Sequence, residues 1–143
     1  MFVRQISVFL ENKPGKLAVV TNVLFENNID ISAISIADTS QFGIVRMIVN
    51  NPEKAASVIK EAGFPVSMTE VLAVEVSDSP GGLNEVLRVF ENGEISVEYV
   101  YSFLKRNADK ALILFKVDNP EKAIQILKDS GFKLYSNGDI ALL

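Results

Sequence analysis

Asn12-Lys13-Pro14-Gly15-Lys16-Leu17 returns later in the chain as Asp78-Ser79-Pro80-Gly81-Gly82-Leu83, and the surroundings of the first copy return with it. A short polar residue, a Pro-Gly pair and a leucine opening an apolar stripe are what a strand-to-helix turn requires. Proline fixes its own φ and glycine reaches backbone conformations closed to other residues. Together they can aim the first free N–H groups of a helix at an anion. Before this turn, Phe2 to Leu10 predicts a strand, with Ile6, Val8 and Leu10 on one face and Gln5, Ser7, Phe9 and then Glu11 on the other. After it, Leu17, Val20, Val23 and Leu24 have the spacing of one helical face, which Glu26-Asn27-Asn28 should end.

Ile29 to Ile36 is β-branched and short-sided, which predicts a second strand; its alternation slips, as at a bulge. Thr39-Ser40-Gln41-Phe42-Gly43 predicts a hairpin connection into a third strand, Ile44 to Val49. Asn51-Pro52-Glu53-Lys54 has the chemistry of a helix start: an Asn cap, Pro at the first helical position and an acid at the positive end of the dipole. Ala55, Val58, Ile59 and Ala62 form the buried stripe, Gly63 stops the helix, and Phe64-Pro65-Val66 leads into a fourth strand. The order β-α-β-β-α-β predicts an α+β, ferredoxin-like unit, with two helices on one face of an antiparallel sheet.

From Val71 the pattern restarts. At an offset of 66, Pro14, Gly15, Leu17, Val20, Val23 and Ile29 meet Pro80, Gly81, Leu83, Val86, Val89 and Ile95. The connection Leu104 to Asp109 adds two residues, and at an offset of 68 Asn51-Pro52-Glu53-Lys54-Ala55 meets Asn119-Pro120-Glu121-Lys122-Ala123. Agreement at caps and turns, with the insertion confined to a hairpin tip, marks a duplication of one fold. The predicted units are residues 1–70 and 71–143. No spacer separates them, which predicts units packed side by side. A unit of about seventy residues buries only about 60% of its unfolded surface, so a shared interface or a homodimer is expected. Phe9 and Leu72 are read as apolar residues on the outer sheet faces, awaiting a cover.

Composition narrows the function. The 143 residues are 48% hydrophobic and 22% charged, the balance of a folded globule. No apolar run approaches the roughly 18 residues that would span a bilayer, and Met1-Phe2-Val3-Arg4 does not begin a signal peptide; no membrane association and a cytoplasmic location are expected. Net charge is −4 and no basic cluster is present, so nucleic acid is not an expected partner. Without a single Cys or His, thiolate nucleophiles, imidazole bases and the common zinc ligands are absent together. The turns also lack the arginine that a phosphate-binding loop of an acylphosphatase-like enzyme would use. No catalytic residue, metal or cofactor is expected.

The duplicated topology, the Asn-x-Pro-Gly-x-Leu and Asp-x-Pro-Gly-x-Leu turns, and the strand openings Asn28-Ile29-Asp30-Ile31 and Glu94-Ile95-Ser96-Val97 resemble ACT domains, small regulatory modules that bind amino acids. The stretches Asp38 to Ile44 and Glu98 to Phe103 strengthen the resemblance, which covers the chain twice and is most similar to free-standing tandem-ACT proteins. It implies a free amino acid as effector, held by the turn of one unit and the second strand of a neighbour, and an amino-acid metabolic enzyme or regulator as partner. The residues so implied are Asn12, Gly15, Lys16 and Leu17 with Asp30 and Ile31, and Asp78, Gly81, Gly82 and Leu83 with Ser96 and Val97. A plainer reading makes each turn an Asx turn and helix cap and nothing more. Tyr99, Tyr101 and Phe103 could wall a ligand or pack in a core or interface, and Arg46 could pair with a carboxylate of the protein or of a ligand. A constitutive interaction subunit without a ligand is the rival function.

Overall fold

The computed structural model describes residues 1–38, 41–105 and 108–143. The tips of both predicted hairpins, Thr39-Ser40 and Arg106-Asn107, lie outside the described residues. The elements run β1 (Val3–Glu11), α1 (Lys16–Glu26), β2 (Ile31–Asp38), β3 (Phe42–Val49), α2 (Pro52–Glu61), β4 (Val66–Ser77), α3 (Gly82–Asn92), β5 (Val97–Ser102), β6 (Lys110–Val117), α4 (Pro120–Asp129), β7 (Leu134–Tyr135) and α5 (Asn137–Ala141). This is β-α-β-β-α-β twice over. Two compact units result: Arg4–Thr69 with Ile140–Leu143, and Glu70–Asp139 with Met1–Val3. They are called the first and second unit below.

In the first unit β3 pairs antiparallel with β1 and with β2, and Phe9 N–H donates to Pro65 O at 3.0 Å, which ties in the start of β4. In the second unit the order is β5-β6-β4-β7, all antiparallel, with the matching bond from Glu75 N–H to Lys133 O at 2.9 Å. The expected slip in the second strand is a register shift between Ile31 and Ala33, repeated between Val97 and Tyr99. Each helix-facing side holds a core: Ile6, Val8, Leu24, Met47 and Ile59 in one unit, Leu72, Val74, Phe90, Phe115 and Leu127 in the other.

Leu72 corrects the sequence reading. Strand residues two apart share a face, so Leu72 belongs with Val74 and Val76 in the core and not on the outer face. The outer-face counterpart of Phe9 is Glu75. On the outer face of β1, Gln5 and Ser7 are buried. No fully buried side-chain nitrogen or oxygen among the described residues lacks a hydrogen-bond partner.

The helix starts at Asn51 and Asn119 behave as their sequences predict. Each side chain accepts from the backbone N–H three residues on, at 3.2 Å from Lys54 and 3.3 Å from Lys122, with Pro at the first helical position. Replacing Asn119 or Asn51 with alanine is expected to cost about 1 kcal/mol each, read from urea unfolding midpoints.

Helix α5 was not anticipated. Its signal is Ser136-Asn137-Gly138-Asp139, a reciprocal capping box. Ser136 N–H and Oγ donate to Asp139 Oδ2 at 2.8 and 2.9 Å, and Asp139 N–H returns a bond to Ser136 Oγ at 3.2 Å. The backbone amide of Ser136, then its hydroxyl, hold the Asp139 carboxyl below its ordinary range.

Candidate functional site

Both strand-to-helix turns end on a glycine in the left-handed region, Gly15 at φ 86° and Gly81 at φ 92°. An L side chain there costs about 1–2 kcal/mol, which explains why the sequence spends a glycine at each. Each glycine is itself the residue that caps its helix, and neither helix start carries a side-chain cap. Asn12 and Asp78 therefore do not play the part that Asn51 and Asn119 play at α2 and α4. The first helical amide is used locally: Lys16 N–H donates to Lys13 O at 3.3 Å and Gly82 N–H to Ser79 O at 3.0 Å. The turns are anchored to the hairpins by Asn12 N–H to Gln41 O at 2.9 Å and Asp78 N–H to Asp109 O at 2.8 Å.

The two turns differ in what surrounds them. In the first, Glu11 and Lys13 pair at 2.8 Å. Their hydrogen bond and mutual charge hold the Glu11 carboxyl below its ordinary range and the Lys13 ammonium above its own. Lys16 is half-buried and lowers Glu11 further through its charge. Leu17 packs on the core. In the second, Gly82 is buried and its backbone lies so close to β4 that a Cβ would stand 1.9 Å from Ser77 O, while Leu83 is 39% exposed. The close approach that glycine permits at position 82 is thus made to the protein's own strand.

The strand-opening candidates sit elsewhere. Asp30 N–H donates to Asn50 Oδ1 at 3.1 Å and Asn50 N–H returns to Asp30 O at 3.2 Å. Ser96 and Asp118 repeat that exchange at 3.0 and 3.1 Å. Within a unit these junctions lie at the far end of an 11-residue helix from the turn, about 16 Å of α-helix away. No single unit brings turn and strand opening together. Ile31 and Val97, the first residues of β2 and β5, are half-buried at the register shift.

The first residue of each opening is left-handed without being glycine, Asn28 at φ 56° and Glu94 at φ 57°. Asn adopts this conformation at lower cost than Glu does. Glu94→Gly is expected to raise stability by about 1 kcal/mol and Asn28→Gly by clearly less, measured side by side in urea.

Clefts open among the described residues of the first unit. One of about 320 Å³ is lined by Phe9, Glu11, Lys16, Phe42 and Phe64 among others. One of about 340 Å³ lies against Asn12 and Lys13, and one of about 290 Å³ against Asp30 and Asn50. Asn12, Lys16 and Asp30 thus each face a different cleft, and the second unit's candidates line none of the three. Of the residues left open by sequence, Tyr99 and Tyr101 are half-buried with ring centroids 6.4 Å apart, and Phe103 is buried. Arg46 stands on β3 opposite Ser7 and Ser35, half-buried. Among the described residues no group of His, Cys, Asp and Glu is arranged to hold a metal ion, and no helix is long and apolar enough to cross a membrane.

Fold and turns together define a tandem pair of ferredoxin-like α+β modules with glycine-capped helix starts. The chain belongs to the ACT-domain family: a family model described as an ACT domain pair matches residues 1–142. A crystal structure of a protein from Bacteroides thetaiotaomicron is 37% identical, with a TM-score of 0.93, covering 100% of this chain and 98% of that one. The ligand-free regulatory subunit of aspartate kinase from Thermus thermophilus shares the fold at 13% identity and a TM-score of 0.67, covering 90% of this chain and 92% of the other. The corresponding subunit from Thermus flavus does so at 13% identity and 0.60, with 88% and 90% covered. No curated protein matches the sequence.

Proposed function

We propose that this ACT pair is a non-catalytic, cytoplasmic regulatory protein that binds a free amino acid and reports the binding to a partner. The two modules are taken as residues 1–70 and 71–143. The observation that carries the reading is the pair of helix starts capped only by left-handed glycines, Gly15 and Gly81, with no side chain occupying the cap. An amino-acid carboxylate suits such an amide-rich terminus, and its ammonium suits Asp30, Asp78 or the side-chain carbonyl of Asn12. Because turn and strand opening are separated within a unit, the ligand is shared between units of one chain or of a homodimer. Binding would then favour the arrangement in which the two are apposed, which is how a small ligand biases a regulator. Aspartate kinase regulatory subunits use this fold; an amino-acid metabolic enzyme or a regulator is the partner proposed here.

Equilibrium dialysis and thermal-shift measurements against the twenty amino acids test the reading, and a flat response at millimolar ligand overturns it. Valine at positions 15 and 81 would strain the left-handed backbone, so Gly15→Asn and Gly81→Asn are the informative variants; nothing lies within 4 Å of either added Cβ. Both should fold and weaken binding to different degrees. Binding untouched by either makes the turns simple caps. A constitutive interaction subunit is the second reading, favoured by the exposed rings of Phe9 and Phe42. Co-purification of one stoichiometric partner, indifferent to amino acids, would support it.

A further inference from the structure

The 320 Å³ cleft of the first unit is lined by residues whose counterparts in the second unit are chemically different. The matched bonds Phe9 N–H to Pro65 O and Glu75 N–H to Lys133 O align the two units at this place. In the second unit Tyr135 reaches back along the outer face. Its hydroxyl donates to Glu75 at 2.6 Å, and the Lys133 ammonium stands 4.7 Å above its ring. The chain's own aromatic ring is thus held between a carboxylate and a cation. In the first unit Tyr135 is replaced by exposed Ser67, Glu75 by Phe9 and Lys133 by Pro65. Phe9 and Phe42 are left 40% and 56% exposed, with Phe64 beside them. Across the two turns Lys16 stands where the second unit has Gly82, so the cleft also holds an ammonium beside the Glu11 carboxylate.

We propose that this cleft selects an α-amino acid with an aromatic side chain. The ring would lie among Phe9, Phe42 and Phe64, the carboxylate would meet Lys16 at the start of α1, and the ammonium would meet Glu11. Size and lining suit a small ligand: a concave site of some 300 Å³ or more, mainly apolar, with a few convergent charges, is the ordinary form of one. Ring-on-ring contact gives affinity for an aromatic group beyond its buried area. The two charges, set side by side, match a zwitterion and discriminate against an aromatic acid or amine alone. The proposal rests on the amino-acid-binding reading and specifies which half-site is used and for which ligand class.

Isothermal titration calorimetry of the full chain with phenylalanine, tyrosine and tryptophan, against alanine, serine and lysine, tests it. At least one aromatic amino acid should bind about tenfold more tightly than alanine, and 3-phenylpropionate and phenethylamine, each missing one charge, should bind more weakly than phenylalanine. Lys16→Gly and Phe9→Glu, which import the second unit's residues, should each weaken aromatic binding by about tenfold or more. Thermal melts check that the variants fold, and Phe42→Ser serves if Phe9→Glu does not. Preference for a non-aromatic amino acid, or aromatic binding unchanged in these variants, overturns the assignment of the cleft and leaves the amino-acid reading standing. Silence toward all twenty amino acids overturns both.

Discussion

Gly82→Ala should destabilise the protein by about 3 kcal/mol or more, although the residue lies in a helix that alanine would ordinarily favour. The added Cβ would meet Ser77 O at 1.9 Å and Ser77 C at 3.0 Å. Both are backbone atoms, so no rotamer change can relieve the clash. Ser77 is also held in the ladder opposite Lys110, so moving it disturbs the β4–β6 pairing. Gly81→Ala makes the control one residue away. There the backbone is left-handed but nothing lies within 4 Å of the new methyl group, and the cost should be the conformational one alone, about 1–2 kcal/mol. Urea unfolding at unchanged slope would measure both. Equal costs would mean that the helix start can lift away from β4, and that the tight approach at Gly82 is not a fixed feature of the second turn.

The same pair of turns shows what a sequence of this kind discloses. Offsets of 66 and 68 were visible because turns and caps depend on local chemistry: Pro-Gly before Leu, and Asn-Pro-Glu-Lys at a helix start, must recur wherever the backbone does the same thing. The roles of the two glycines at positions 81 and 82 were not separable that way. One is required by its own φ and the other by the nearness of a strand carbonyl, and only the second depends on packing. Leu72 obeys the plain alternation of a strand: it lies two residues before Val74 and so shares the core face with it. The cleft beside Phe9 was legible in part: Phe9 was seen as an outer-face apolar residue, and Lys16 as the partner of Gly82. That Tyr135 bonds Glu75, the counterpart of Phe9, in the other unit needed the pairing of β7 with β4, a two-residue strand that no periodicity marks. The candidate site set itself divides along the helix axis, because residues close in a motif alignment can lie a helix length apart in one unit.

Phe90→Ala should cost about 3–5 kcal/mol, and the expected mechanism separates the two units chemically. Phe90 on α3 and Phe115 on β6 are both essentially fully buried, with ring centroids 5.2 Å apart and planes at 90°, an edge-to-face pair. The first unit holds Leu24 and Met47 at the equivalent positions, equally buried. Truncating Phe90 removes apolar burial and leaves a cavity that neighbours on a helix and a sheet can close only in part. An edge-to-face pair adds a directional attraction that an aliphatic pair lacks. A double-mutant cycle on Phe90 and Phe115 should therefore show a coupling of about 0.5–1.5 kcal/mol, and one on Leu24 and Met47 clearly less. Val86 and Phe90 are the large side chains that α3 buries fully, so the cavity also loosens the helix whose first turn presents Gly81 and Leu83. Hydrogen exchange at Gly82 and Glu85, whose amides donate to Ser79 O and Gly81 O at 3.0 Å each, should accelerate in Phe90→Ala under conditions where the protein is still folded. Unchanged protection at those amides would show that the turn is held by its own bonds to Asp109 and Ser79, independently of the helix behind it.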